Sequence, residues 1–232
     1  MIAESLDNIR GRINRACGRA GRDASAVTLV AVSKTFPADC IREAADAGVV
    51  DFGENYVQEL LEKHEVITGK ALRWHFIGHL QRNKVRFIAP WITMVHAVDG
   101  LPLAREIHAR AKAEGRIIDC LVEVNTTGEE SKFGVRPDHA LRLVREFEDL
   151  TSIRVNGFMT IGPFLPDPEG SRPMFRRLRE LRDEAAASNQ ENAPMHHLSM
   201  GMTGDFEVAI EEGATLVRIG TAIFGARKRR EV

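Results

Sequence analysis

Eight short apolar runs rich in β-branched residues recur along the chain, at positions 27–32, 49–52, 72–77, 94–98, 117–124, 153–159, 195–198 and 215–219. Helical patterns lie between them, beginning near Pro37, Asn55, Gln81, Leu101, Pro137, Arg172 and Thr203. No hairpin turn signal joins one run to the next, so the strands are expected to pair in parallel through right-handed crossovers. Eight such strands in 232 residues predict an α/β fold, a closed (β/α)8 TIM barrel, whose usual length is about 250 residues. The competing arrangement is an open doubly wound sheet. It would normally open on a glycine-rich turn, and Val32-Ser33-Lys34-Thr35 contains no glycine.

Ahead of the first run, Leu6, Ile9, Ile13, Ala16, Cys17 and Ala20 recur at helical spacing among arginines, which predicts an extra N-terminal helix over 1–22 laid on the domain. Glu4 and Asp7 in its first turns, and the want of an apolar h-region, argue against a targeting role. No repeat, low-complexity block or linker divides the sequence, so a single domain over 1–232 is expected. The loop 162–170, with three prolines, reads as a loop at the top of the barrel, and the basic stretch 226–232 as a solvated tail.

Composition narrows the function. Thirty-two basic residues against 33 acidic ones give a net charge of −1, which excludes a general nucleic-acid binder. Apolar residues at 44% and charged residues at 28% fit a soluble globular protein. No apolar run approaches the roughly 18 residues needed to cross a bilayer. Three scattered cysteines, Cys17, Cys40 and Cys120, form no disulfide framework and no zinc pattern, which suits the reducing cytoplasm.

A barrel carries its site at the carboxyl ends of its strands. Lys34 ends the first run and shares side-chain parity with Val30 and Val32, so it belongs near the mouth among apolar walls. Desolvation disfavours an ammonium ion and favours the neutral amine, the form that attacks an aldehyde or ketone. The bland alternative is a strand-end lysine reaching for water. After the last two runs, Ser199-Met200-Gly201-Met202-Thr203 and Arg218-Ile219-Gly220-Thr221 are rich in small and hydroxyl residues, where barrels of this kind build phosphate sites.

The segments Val30-Ala31-Val32-Ser33-Lys34-Thr35, 52–59, 75–84, Gly157-Phe158-Met159-Thr160, 198–206 and 217–225 resemble, in order and spacing, the pyridoxal phosphate homeostasis proteins, single-domain relatives of the alanine racemase N-terminal barrel. The resemblance spans about residues 27 to 225. It implies that Lys34 forms an aldimine with pyridoxal 5′-phosphate (PLP), and that Ser199, Met200, Gly201, Gly220 and Thr221 cradle the phosphate. It also implies that Arg218 faces the pyridine nitrogen, and that Asn55, His75 and Met159 line the pocket.

Arginine can only donate, so a ring nitrogen facing Arg218 stays unprotonated and the ring becomes a weak electron sink. Alanine racemases draw a second base, a tyrosine, from an additional β domain, and this chain is expected to leave no room for one. The lone tyrosine, Tyr56, follows Asn55 into a predicted helix and is expected to pack on the outer layer. His75, His79, His196 and His197 remain as proton carriers. The adjacent pair His196 and His197 points to opposite faces of a strand, so no metal site is expected. The expectation is therefore a cytoplasmic, monomeric PLP-binding protein that buffers or carries the cofactor in vitamin B6 homeostasis, with PLP-dependent apoenzymes as recipients and no catalytic residues of its own. The alternatives are a PLP-dependent amino-acid racemase-like enzyme and a class I aldolase-like barrel.

Overall fold

A computed structural model describes residues 1–129, 133–163 and 165–226. The tail 227–232 and Phe164 of the proline-bearing loop lie outside the described residues. The strands are β1 (Thr28–Val32), β2 (Asp51–Glu54), β3 (Arg73–Phe76), β4 (Met94–Val98), β5 (Ile118–Glu123), β6 (Ile153–Met159), β7 (His197–Ser199) and β8 (Leu216–Ile219). They close into a parallel barrel in sequence order, β8 returning to β1 with Thr28 opposite Leu216 and Val30 opposite Arg218. The open-sheet alternative is thereby excluded.

Helices α2 (Ala38–Asp46), α3 (Val57–Val66), α4 (Val85–Ile88), α5 (Leu101–Ala113), α6 (Pro137–Glu146), α7 (Arg172–Ala186), α8 (Phe206–Glu211) and α9 (Thr221–Phe224) succeed the strands. The N-terminal helix α1 (Ile2–Arg19) buries Leu6, Ile9, Ile13, Ala16 and Cys17, the stripe expected from its spacing. No helix among the described residues is long and apolar enough to cross a membrane.

Two apolar regions result. The larger lies between the sheet and its helices, filled by residues such as Phe52, Phe76, Phe158 and Phe206. The smaller, Val30, Met94, Ala97, Leu121, Met159 and Leu216, fills the barrel itself. Val30 in that inner cluster fixes the parity of β1, so Val32 and Lys34 follow on the inward face toward the mouth.

Candidate functional site

The carboxyl ends of the strands surround a cavity of about 330 Å³. Lys34 lines it from a turn just beyond β1. The next residue, β-branched Thr35, has φ +70°, a conformation unfavourable for its side chain. A buried charged cluster holds this turn on both sides of Lys34. Lys63 Nζ donates to Ser33 O at 2.7 Å, to Glu54 Oε1 at 2.6 Å and to Glu59 Oε1 at 2.7 Å. Ser33 Oγ donates to Glu54 Oε1 at 2.6 Å, and the Thr35 N–H donates to Glu59 Oε1. Burial raises the Glu54 carboxyl above its ordinary value even beside Lys63.

Opposite, Arg218 of β8 lines the cavity while 5% exposed. Its Nη1 donates to Ser199 Oγ at 2.6 Å and its Nη2 to Thr160 O at 2.8 Å. Burial lowers its guanidinium to about 10, against the opposing pull of Glu123 and Asp205, so it remains a cation at neutral pH.

Between β7 and α8 the backbone passes through Gly201 at φ +88°. A Cβ there would lie 2.5 Å from Ala209 Cβ and 2.8 Å from Phe206 Cα, so glycine alone permits this approach. Asp205 then closes a turn by accepting from Met202 N–H at 2.7 Å, and its second oxygen accepts from Ser171 Oγ at 3.2 Å. Thr203 and Gly204 from this turn, with Gly220 and Thr221 after β8, form one wall of the cavity. The Thr221 hydroxyl donates to that of Thr203 at 3.1 Å. Asn55 lines the cavity too, and its Oδ1 is buried without a hydrogen-bond partner among the described residues.

Lys34, Asn55, Arg218, Gly220 and Thr221 thus share one cavity. Ser199 lies below it, bonded to Arg218, and Gly201 O accepts from Arg218 N–H at 3.0 Å. Met200 packs in the outer core and Met159 in the inner one, so neither side chain lines the cavity. His75 is deeper in the barrel, and Tyr56 is 61% exposed ahead of α3 instead of packing on the outer layer. The small-residue wall is therefore centred on Thr203 and Gly204, a few residues beyond the Ser199–Gly201 stretch expected from the sequence.

Sequence reasoning also overlooked His96 and Asp51. Ser199 Oγ lies 2.9 Å from His96 Nδ1, His96 Nε2 lies 2.9 Å from His75 Nδ1, and His75 Nε2 lies 2.9 Å from Asp51 Oδ1. Arg73 grips Asp51 with two bonds, of 2.7 and 2.5 Å. Burial opposes ionisation of Asp51, yet the bonds from His75 and Arg73 hold its carboxyl below the usual carboxylate range. Burial, with the nearby His75 and Arg218, keeps His96 well below an ordinary histidine and hence neutral. A lone imidazole inside the apolar run 94–98 was the available signal, because a buried polar ring must find partners. His79 lies apart, 3.4 Å from Asp99 and stacked on Phe133, and His197 bonds Thr215. Among the described residues no group of three or more His, Cys, Asp or Glu side chains is placed to hold a metal ion.

Residues 5–228 match the family described as alanine racemase, N-terminal domain. The pyridoxal phosphate homeostasis protein of Aquifex aeolicus is 48% identical over 225 residues, covering 97% of this chain and 98% of its own. That of Pseudomonas aeruginosa is 44% identical, covering 97% and 96%. The PipY protein of Synechococcus elongatus, solved with PLP bound, is 31% identical with a TM-score of 0.84, covering 97% of this chain and 100% of its own.

Proposed function

The chain belongs to the family of pyridoxal phosphate homeostasis proteins, built on the alanine racemase N-terminal domain, and from that membership we propose that it holds PLP in the barrel-mouth cavity, by a reversible covalent bond to Lys34, and passes it on. The observation that carries this reading is the convergence of Lys34, Arg218, Gly220 and Thr221 on one cavity. The donor set fits the group: an amine for an aldehyde, hydroxyls and glycine backbone for a phosphate, a buried cation for a ring nitrogen. The orphaned Oδ1 of Asn55 adds a polar atom that a bound ligand satisfies. PipY, solved with PLP bound, supports PLP as the ligand.

When bound, PLP supplies an aldehyde and an electron-accepting ring. Lys34 would hold the aldehyde end of the cofactor through its amine. Thr203, Gly204, Gly220 and Thr221 receive the phosphate through short hydroxyls and closely approaching backbone. Arg218, pinned by Ser199 and Thr160, has further N–H groups to offer and no proton to give up. It favours an unprotonated ring nitrogen, which suits holding the cofactor more than carbanion chemistry. Tyr56, the only tyrosine in the sequence, stands exposed and outside the cavity lining, which supports the same preference. The protein then acts as a cytoplasmic monomer that buffers PLP and supplies PLP-dependent apoenzymes.

Titration of the purified protein with PLP is expected to produce the absorption band of a Schiff base, and Lys34→Ala to lose it. Persistence of the band in that variant would remove Lys34 from its role. Solvent deuterium exchange at Cα of added amino acids at ordinary enzymatic rates would replace the carrier reading with a racemase-like one.

A further inference from the structure

The axis of the barrel carries a line of polar groups that ligand contact does not explain. It runs from Arg73 and Asp51 at the amino ends of β3 and β2, through His75 and His96, to Ser199 and Arg218 below the cavity. Asp51, His75, His96, Ser199 and Arg218 are each between 0 and 5% exposed. Such groups are tolerated in a core only when every donor has an acceptor, and a partly satisfied set is worse than an apolar one.

That requirement settles the direction of every bond. Arg218 only donates, so Ser199 Oγ accepts from its Nη1. Among the described residues the Ser199 hydroxyl has one other partner, His96 Nδ1, and must give its own proton there. His96 then carries its proton on Nε2 and donates to His75 Nδ1, and His75 donates from Nε2 to ionised Asp51. The reverse arrangement, with His75 charged and His96 protonated on Nδ1, would aim two donors at Ser199 and leave its hydroxyl proton without an acceptor. The chain also cannot pass a proton into the cavity, because the guanidinium at its end does not accept one. It transmits orientation.

We propose that Asp51, His75 and His96 are positioning residues for Arg218: they keep the Ser199 proton turned away, so that Ser199 Oγ and Thr160 O fix two guanidinium nitrogens and the rest of the group faces the cavity. The ligand-binding part of the test rests on the PLP reading above; the tautomer part does not.

In ¹⁵N-histidine-labelled protein without ligand at neutral pH, His75 and His96 are both expected to be neutral and protonated on Nε2. A proton on Nδ1 of either ring overturns the chain. Asn and Leu share a branched shape, and the Asn Oδ1 falls near the place of His96 Nδ1, where it can accept from Ser199. His96→Asn is therefore expected to bind PLP within about threefold of the unmodified protein and His96→Leu about tenfold more weakly, the cost of a lost bond supporting a charged group. Equal binding by two folded variants overturns the positioning role. Should neither variant fold, the tautomers of the unmodified protein decide. Should the unmodified protein form no Lys34-dependent band with PLP, the ligand reading falls, while the tautomers still decide the chain.

Discussion

Glu123 ends β5 at the inner face of the barrel and is 5% exposed. Burial, helped by the charge of Asp99 and only partly offset by Arg218, raises its carboxyl from 4.5 to about 7. A folded state that holds a proton more tightly than the unfolded chain gains stability where that proton is bound. The contribution is therefore fully present below about pH 4.5 and is lost as the pH rises through about 7. The difference between the two limits is about 3 kcal/mol. Glutamine keeps the shape of the protonated acid and never ionises. Glu123→Gln is thus expected to raise the melting temperature at pH 8 by several degrees, with the gain gone near pH 4.5, as thermal melts across that range will read. An equal gain at both ends would mean that Glu123 does not titrate across this window. Arg218 tells the complementary story at the same scale. Its burial is costly, yet Glu123 and Asp205 stabilise its charge, and Ser199 and Thr160 occupy its donors.

Alternation along a strand assigns faces only while the ladder keeps step. In β1 and β8 it does: Lys34 shares the face of Val30, as its parity indicates, while the place of Arg218 at the pocket is implied by the resemblance alone. In β4 the pairing to β5 slips by one residue between Val95 and Val98. Ala97 thereby joins the inner cluster and Val98 the outer one. In β6 the slip falls between the partners of Cys120 and Leu121, leaving Asn156 as the extra residue ahead of Gly157. Two-residue parity foresees neither: carried on from Ile153 and Val155, which pack in the outer core, it puts Met159 outside, whereas the extra residue turns Met159 into the inner cluster. The shifted start of α8 has a similar local cause, since the Asp205 turn occupies the positions after Thr203 where helix was expected. Gly157 makes the β6 irregularity possible: at φ +147° a Cβ would lie 1.8 Å from His197 O. Gly157→Ala must part β6 from β7, the strand that carries Ser199. A loss of about 4 kcal/mol is expected in urea unfolding, at the top of the usual range for one substitution. A loss under about 1 kcal/mol would show that the bulge is not required.

The outer layer of the barrel is thin where β8 returns to β1. Each strand is normally covered by the helix that follows it, but α9, after β8, is four residues long. The chain solves this from its other end. The 18-residue α1 packs against α8, α9 and α2, taking the place in the outer layer that α9 is too short to fill. Arg12 and Arg19 pair with Glu207 and Glu211 of α8, and the Arg12 guanidinium lies 4.5 Å over the Phe206 ring. These contacts are half-exposed and worth little individually; the buried stripe of Leu6, Ile9 and Ile13 supplies most of the adhesion. If α1 completes the layer, it melts with the barrel as one cooperative unit, and the cavity wall that begins at Gly220 depends on it. Ile9 is 1% exposed, and Ile9→Ala is expected to cost about 3 kcal/mol. The urea midpoint should fall while the slope stays that of the unmodified protein, and PLP should dissociate in the same transition. A separate, earlier transition that leaves the PLP band intact would instead make α1 an appendage, with that stretch of the outer layer closed by some other contact.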